Sequence, residues 1–141
     1  MSRILAIDYG QKRVGLAVTD MLQITANGLD TVPSGEIFAY IKDYCEREEV
    51  VCFLVGWPLD LKGQPAESMR FVEPFVKALE RKYPDIPVLK IDERFTSKMA
   101  QQAILMSGIS KKKRQDKGLI DKVSATIILQ YYLDSRVSMI P

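Results

Sequence analysis

The sequence predicts an α/β fold, a mixed sheet in which three antiparallel strands precede two parallel ones, with helices on both faces. Apolar, β-prone runs at 3–8, 13–19 and 24–32 follow one another across short turns, as antiparallel pairing allows. Two later runs, 50–55 and 87–91, are each preceded by a segment with apolar residues at helical spacing, the signature of crossover connections between parallel strands.

The elements follow in order. Arg3-Ile4-Leu5-Ala6-Ile7 runs into Asp8-Tyr9-Gly10, and Arg13 to Thr19 forms the second strand beyond a glycine turn. Ile24 to Val32 is the third. Ser34 stands where an N-cap belongs, before Glu36, Ile37, Tyr40, Ile41 and Tyr44, whose spacing leaves one apolar stripe. Val50-Val51-Cys52-Phe53-Leu54-Val55 is apolar throughout, as expected of a strand covered on both faces, and ends at Gly56. After a glycine- and proline-bearing loop, Met69, Val72, Phe75, Val76 and Leu79 mark a helix within 66–83, with Pro74 expected to bend or split it. Pro87 to Ile91 is the last strand and runs into Asp92-Glu93-Arg94. Thr96 or Ser97 can cap a helix through Ala100, Ala103, Ile104 and Met106 that stops at Gly108. Leu119 to Leu133 is the final helix, with Ile120, Val123, Ile127 and Tyr131 on a shared face.

Length and composition bound the chemistry. The 141 residues are read as one domain, 1–141, with the apolar and charged fractions of a soluble globular protein. No run has the length of a membrane span and no signal-peptide pattern opens the chain, so a cytoplasmic protein is expected. Cys45 and Cys52, the only cysteines, are too few for a disulfide framework and read as buried free thiols. Histidine is absent, which removes the ordinary Ser-His-Asp and Cys-His catalysts and histidine zinc sites. The formal charge of +2 is small, but Lys111-Lys112-Lys113-Arg114 concentrates positive charge in one block.

Acids stand at three special places: Asp8 closes the first strand, Asp92 and Glu93 close the last, and Asp121 lies in the first turn of the final helix. Each alone has an ordinary explanation. Asp8 can cap its own turn, Asp92 or Glu93 can pair with Arg94, and an acid suits a helix N-terminus. Together they suggest convergent carboxylates, the donor set of magnesium, since hard cations prefer oxygen ligands. Two such ions about 4 Å apart activate a water and stabilise the leaving oxygen of a phosphodiester. Adjacent strand residues point to opposite faces, so only one of Asp92 and Glu93 can face such a site.

Four segments carry a family resemblance. Asp8-Tyr9-Gly10-Gln11-Lys12-Arg13-Val14-Gly15-Leu16-Ala17 resembles the opening motif of the YqgF family, also called RuvX. Val55-Gly56-Trp57-Pro58-Leu59-Asp60-Leu61-Lys62-Gly63 resembles its second, Asp92-Glu93-Arg94-Phe95-Thr96-Ser97 its third, and Asp121 to Gln130 its last. The motifs occur in the family's order and span essentially the whole chain.

The resemblance implies an RNase H-like fold and a nuclease site using Mg2+ or Mn2+, with Asp8, Glu93 and Asp121 as catalytic carboxylates and metal ligands. Asp60, where family members often carry Asn, and Asp92 are the alternatives to Glu93. The substrate it implies is structured RNA, through trimming of the 5′ end of precursor 16S ribosomal RNA, or branched DNA, through resolution of Holliday junctions. A nucleic-acid-binding ribosome-assembly factor without turnover is the reading from another class. Lys12, Arg13, Arg94, Thr96 and the block Lys111, Lys112, Lys113 and Arg114 are the candidate nucleic-acid contacts, against a reading of them as solvated loop residues and caps. Trp57 is available to stack on an unpaired base or to pack in the loop. A monomer or a homodimer is compatible with these readings.

Overall fold

The computed structural model describes residues 2–94, 96, 99, 102, 105 and 117–138. Five strands form one sheet: β1 (Arg3–Tyr9), β2 (Arg13–Thr19), β3 (Ala26–Pro33), β4 (Val50–Trp57) and β5 (Val88–Asp92). Their order across the sheet is β3-β2-β1-β4-β5. The first three pair antiparallel, and β4 and β5 are added parallel to β1, as the connection lengths predict. Three helices are described in full: α1 (Ile37–Arg47), α2 (Met69–Lys82) and α3 (Lys117–Ser138). The helix expected from Thr96 or Ser97 to Gly108 lies largely outside the described residues.

Strand alternation divides the core into two layers. Leu5, Ile7, Val14, Leu16, Phe53 and Val55 face one side, against Ile37, Ile41 and Tyr44 of α1 and Met69, Val72, Phe75, Val76 and Leu79 of α2. Ile4, Ala6, Ala17, Cys52, Leu54 and Ile91 face the other, against Ala125, Ile128, Leu129 and Leu133 of α3. Full burial of side chains such as Phe53 and Leu54 stabilises the fold by about 1.5–3 kcal/mol each. The two layers differ in the size of what they pack. The α3 side of β1 and β2 presents Ala6, Gly15 and Ala17, so the helix lies close on the sheet.

Several local expectations are corrected. The third strand begins at Ala26 rather than at residue 24, because Asp20 Oδ1 accepts from the backbone N–H groups of Ile24 (2.7 Å) and Thr25 (2.9 Å) and holds that segment as a turn. Ser34 does not cap α1. Its hydroxyl donates to the carbonyl of Gln11 at 2.7 Å, and Ser34–Glu36 forms a 3-10 turn that leads into the helix. Pro74 neither splits nor ends α2, which runs through it, with Phe75 and Val76 beside it in the core. In α3 the buried stripe is Ala125, Ile128, Leu129 and Leu133, and the larger set Ile120, Val123, Ile127 and Tyr131 is only half-buried, because the close approach to the sheet selects the small Ala125. Cys52 is buried as expected, but Cys45 is half-buried. Both are free thiols, and burial pushes both thiols up in pKa.

Candidate active site

The site begins with the parity of β1. Ile4 and Ala6 face α3, so Asp8 does too, while Tyr9 turns to the other side and stacks on Phe75 of α2 with ring centroids 4.3 Å apart. Asp8 pairs in register with Gly15 of β2. On the other neighbour, Ile7 pairs with Val55, which places Gly56 of β4 beside Asp8 one residue on. The acid of the central strand is thus flanked by a glycine on each side.

Each glycine makes room for another acid. A Cβ on Gly15 would collide with the backbone of Asp121, so the absence of a side chain there lets α3 cross the sheet at this point. A Cβ on Gly56 would collide with the Glu93 carboxylate and stand 2.9 Å from Ile128 Cδ1. Glu93 follows the end of β5, with its backbone N–H bonded to the carbonyl of Trp57 at 3.1 Å. It shares the parity of Ile91 and reaches across the end of β4 to Asp8.

Asp8 and Glu93 hydrogen-bond through their side chains. Burial raises the Asp8 carboxyl well above the ordinary aspartate range, and the charges of Glu93 and Asp121 and the hydrogen bond to Glu93 raise it further. Burial likewise raises Glu93, the hydrogen bond from Asp8 lowers it, and Asp92 raises it again. Both carboxyls are raised, and the pair is held together by a proton shared between them. A cavity of about 80 Å³ lies over the pair, lined also by Thr96, Ser124 and Ile128. At Glu93 it meets a groove of about 480 Å³ bordered by Pro58, Leu59, Leu61 and Arg94.

Asp121 is near enough for its charge to act on Asp8, but its carboxylate is held elsewhere. Arg13 Nε donates to Asp121 Oδ2 at 2.8 Å. Asp121 also stands beyond the first described turn of α3, which is helical from Lys117 onward. Among the described residues, no three acidic, cysteine or histidine side chains gather closely enough to hold a metal ion as they stand.

The other acids have different work. Asp60 Oδ1 accepts from the backbone N–H groups of Lys62 and Gln64, both at 2.9 Å, and shapes the loop that turns at Gly63, where φ is +81°. Asp92 takes the opposite face from Glu93 and binds Arg94, whose Nη2 lies 2.6 Å from Asp92 Oδ2. That hydrogen bond holds the Asp92 carboxyl below the usual range. The geometry therefore brings Glu93, and neither Asp60 nor Asp92, to Asp8.

The basic and polar candidates separate as well. Lys12 is exposed at the tip of the β1–β2 hairpin, and Arg13 at its foot is spent on Asp121. Thr96 is buried at 2 % exposure in the wall of the cavity, with its N–H on the carbonyl of Glu93, so it faces the acids rather than an open surface. Trp57 packs against the α1–α2 layer, and Lys90 Nζ sits 4.4 Å from its ring centroid. The block 111–114 lies outside the described residues. Ser124 is the wall residue that sequence reading missed. Its signal was its place one turn beyond Asp121 on the final helix.

A family model described as "RuvX: Holliday junction resolvase" matches residues 2–135. The chain belongs to the RuvX family. Curated relatives named "Putative pre-16S rRNA nuclease" include one from Parabacteroides distasonis, 56% identical over 96% of this chain and 97% of the relative. Another, from Phocaeicola vulgatus, is 57% identical over 96% and 98%. RuvX is thus a nuclease family, and its members are hydrolases of phosphodiester bonds. Among solved structures, T. thermophilus RuvC in complex with a Holliday junction substrate matches with a TM-score of 0.61 at 17% identity, covering 99% of this chain and 98% of that one. A second Thermus thermophilus RuvC structure matches at 0.54 and 14%, over 96% of each chain. At that identity the likeness speaks for the fold, which this RuvX chain shares: an RNase H-like mixed sheet.

Proposed function

We propose that this chain is a divalent-cation-dependent nuclease that trims the 5′ end of precursor 16S ribosomal RNA in the cytoplasm, with Asp8, Glu93 and Asp121 as its catalytic carboxylates. The observation that carries the reading is the Asp8–Glu93 contact at the end of the central strand, a pair of acids held in a largely desolvated cavity beside the charge of a third. Two carboxylates in hydrogen-bond contact repel unless a proton or a cation lies between them. The donors are all oxygen, which fits the hard cations Mg2+ and Mn2+. Asp8 and Glu93 would hold the ion, joined by Asp121. When bound, it supplies a lowered pKa for a water nucleophile and charge for the leaving oxygen.

The chain's own groups do the rest. Loss of the shared proton turns Asp8 and Glu93 into a dianionic pair aimed into the cavity. Gly56 and Gly15 fix the distance of the other two acids from Asp8. Lys12 and Arg13 border the site on the hairpin side, where flanking phosphates would lie, and the 111–114 block is proposed as a further phosphate contact. Arg94 stiffens the Glu93 corner through Asp92.

The relatives' printed name favours RNA; the family description favours a second reading, a junction resolvase, which needs two paired sites. The test is cleavage of a precursor 16S rRNA carrying its 5′ extension, in Mg2+ and in EDTA. Asp8→Asn is expected to abolish the Mg2+-dependent cut while the circular dichroism spectrum is unchanged. Undiminished cleavage by that variant overturns the mechanism. Symmetric cutting of four-way DNA by a dimer, without rRNA trimming, would favour the resolvase.

A further inference from the structure

Arg13 and Asp121 are 108 positions apart in sequence and are joined by a direct ion pair. The pairing follows from the strand period: Arg13 has the parity of Gly15, the residue on which the backbone of Asp121 rests, so its side chain leaves the strand on the α3 side. Both roots are fixed. Gly10 N–H donates to the Arg13 carbonyl at 2.9 Å, and Arg13 pairs with Pro33 in the β2–β3 ladder. Thr31 Oγ1 donates to the carbonyl of Gly118 at 2.6 Å, tying the start of α3 to the same sheet. The side chains are less confined, at 38% and 23% exposure, so the pair is one that can be exchanged at small cost.

Resting on the nuclease reading above, we infer that Arg13 is a latch on the third carboxylate: it competes with the divalent cation for Asp121, and cation binding frees its guanidinium for a substrate phosphate. While Arg13 Nε donates to Asp121 Oδ2, one oxygen of that carboxylate is occupied by the guanidinium. A cation drawing Asp121 toward Asp8 breaks the pair and leaves a guanidinium with no carboxylate, at the mouth of the site. Metal and nucleic acid then bind with positive coupling, and the coupling is reciprocal. Arg13 acts on the metal through Asp121, as a positioning residue.

The experiment titrates Mn2+ calorimetrically into the intact chain and into Arg13→Gln, Arg13→Lys and Asp8→Asn. In parallel it follows the Arg13 Nε–H resonance of the wild type as Mg2+ is added. Removal of the latch is expected to tighten Mn2+ binding up to about fivefold, the occupancy that a partly exposed pair can withhold. Arg13→Lys should fall between, and it serves if Arg13→Gln does not fold. The Nε–H resonance should shift as Mg2+ saturates. Unchanged or weaker Mn2+ binding by the Arg13 variants, or an unmoved resonance, overturns the latch. Wild-type Mn2+ affinity in Asp8→Asn would instead overturn the metal site itself, so the two failures are distinguishable.

Discussion

Glu93 reaches Asp8 through the space that Gly56 leaves. Asp8 lies on β1 and Glu93 just past β5, which are not neighbours, and β4 between them carries as its second-last residue the one residue type that lets a carboxylate pass over it. Gly56→Ala is therefore expected to displace Glu93 and to cost about 1–3 kcal/mol through the added contact with Ile128. Thermal melting with the cleavage assay checks this, the prediction being a loss of activity far larger than the loss of folded protein at the assay temperature.

Gly15→Ala should act differently. Its Cβ meets the backbone of Asp121 rather than a movable side chain, so α3 must shift as a whole. Destabilisation at the upper end of the overpacking range, about 3 kcal/mol, is expected. A chemical denaturation curve measures it. A neutral result would mean that α3 does not bear on β2 at Gly15.

The acid pair sets a pH dependence of stability in the absence of divalent cations. The Asp8 carboxyl is raised in the folded chain, so the folded state binds a proton that the unfolded state has released. Its contribution is fully present below the ordinary aspartate range and is lost as pH rises through the raised folded value. At neutral pH the raised carboxyl costs the wild type stability relative to the unfolded chain, whereas Asp8→Asn carries no such cost. Melts in EDTA should show Asp8→Asn more stable than wild type at neutral pH, with the difference vanishing toward acid.

Asp60→Asn should leave cleavage and Mn2+ affinity close to wild type, because the amide oxygen can still accept from Lys62 and Gln64. Asp60→Ala should loosen the loop before Gly63 without touching the acid pair. Hydrogen exchange at the Lys62 and Gln64 amides reads the difference. A metal-binding defect in Asp60→Asn would return that residue to the list of ligands.

Most of the sheet was legible because its signals are local. Continuous apolarity at 50–55 marked a doubly covered strand, and short turns before it marked the antiparallel part. Asp8 stood out as a charge closing an apolar strand, and its facing followed from the parity of Ile4 and Ala6. The choice between Asp92 and Glu93 also rested on parity, but parity alone does not say which face matters; Ile91 packing on α3 decides it. The buried stripe of α3 departs from the large-residue pattern for a physical reason. Counting large apolar residues favours Ile120, Val123 and Ile127, whereas a helix lying over Gly15 and Ala17 must present Ala125. The Arg13–Asp121 pair joins two motifs with no local signal between them, and only the crossing of α3 over β2 reveals it.

The route by which Asp121 joins the sheet also bears on how the site comes together. The hairpin that carries Asp8 and Arg13 stands far in sequence from the residues that complete the site, Glu93 just beyond β5 and Asp121 on α3. Until α3 docks, Asp8 lacks Asp121 beside it and Gly15 has nothing resting on it. The cluster of acids is therefore a product of tertiary folding alone, completed by the docking of one helix.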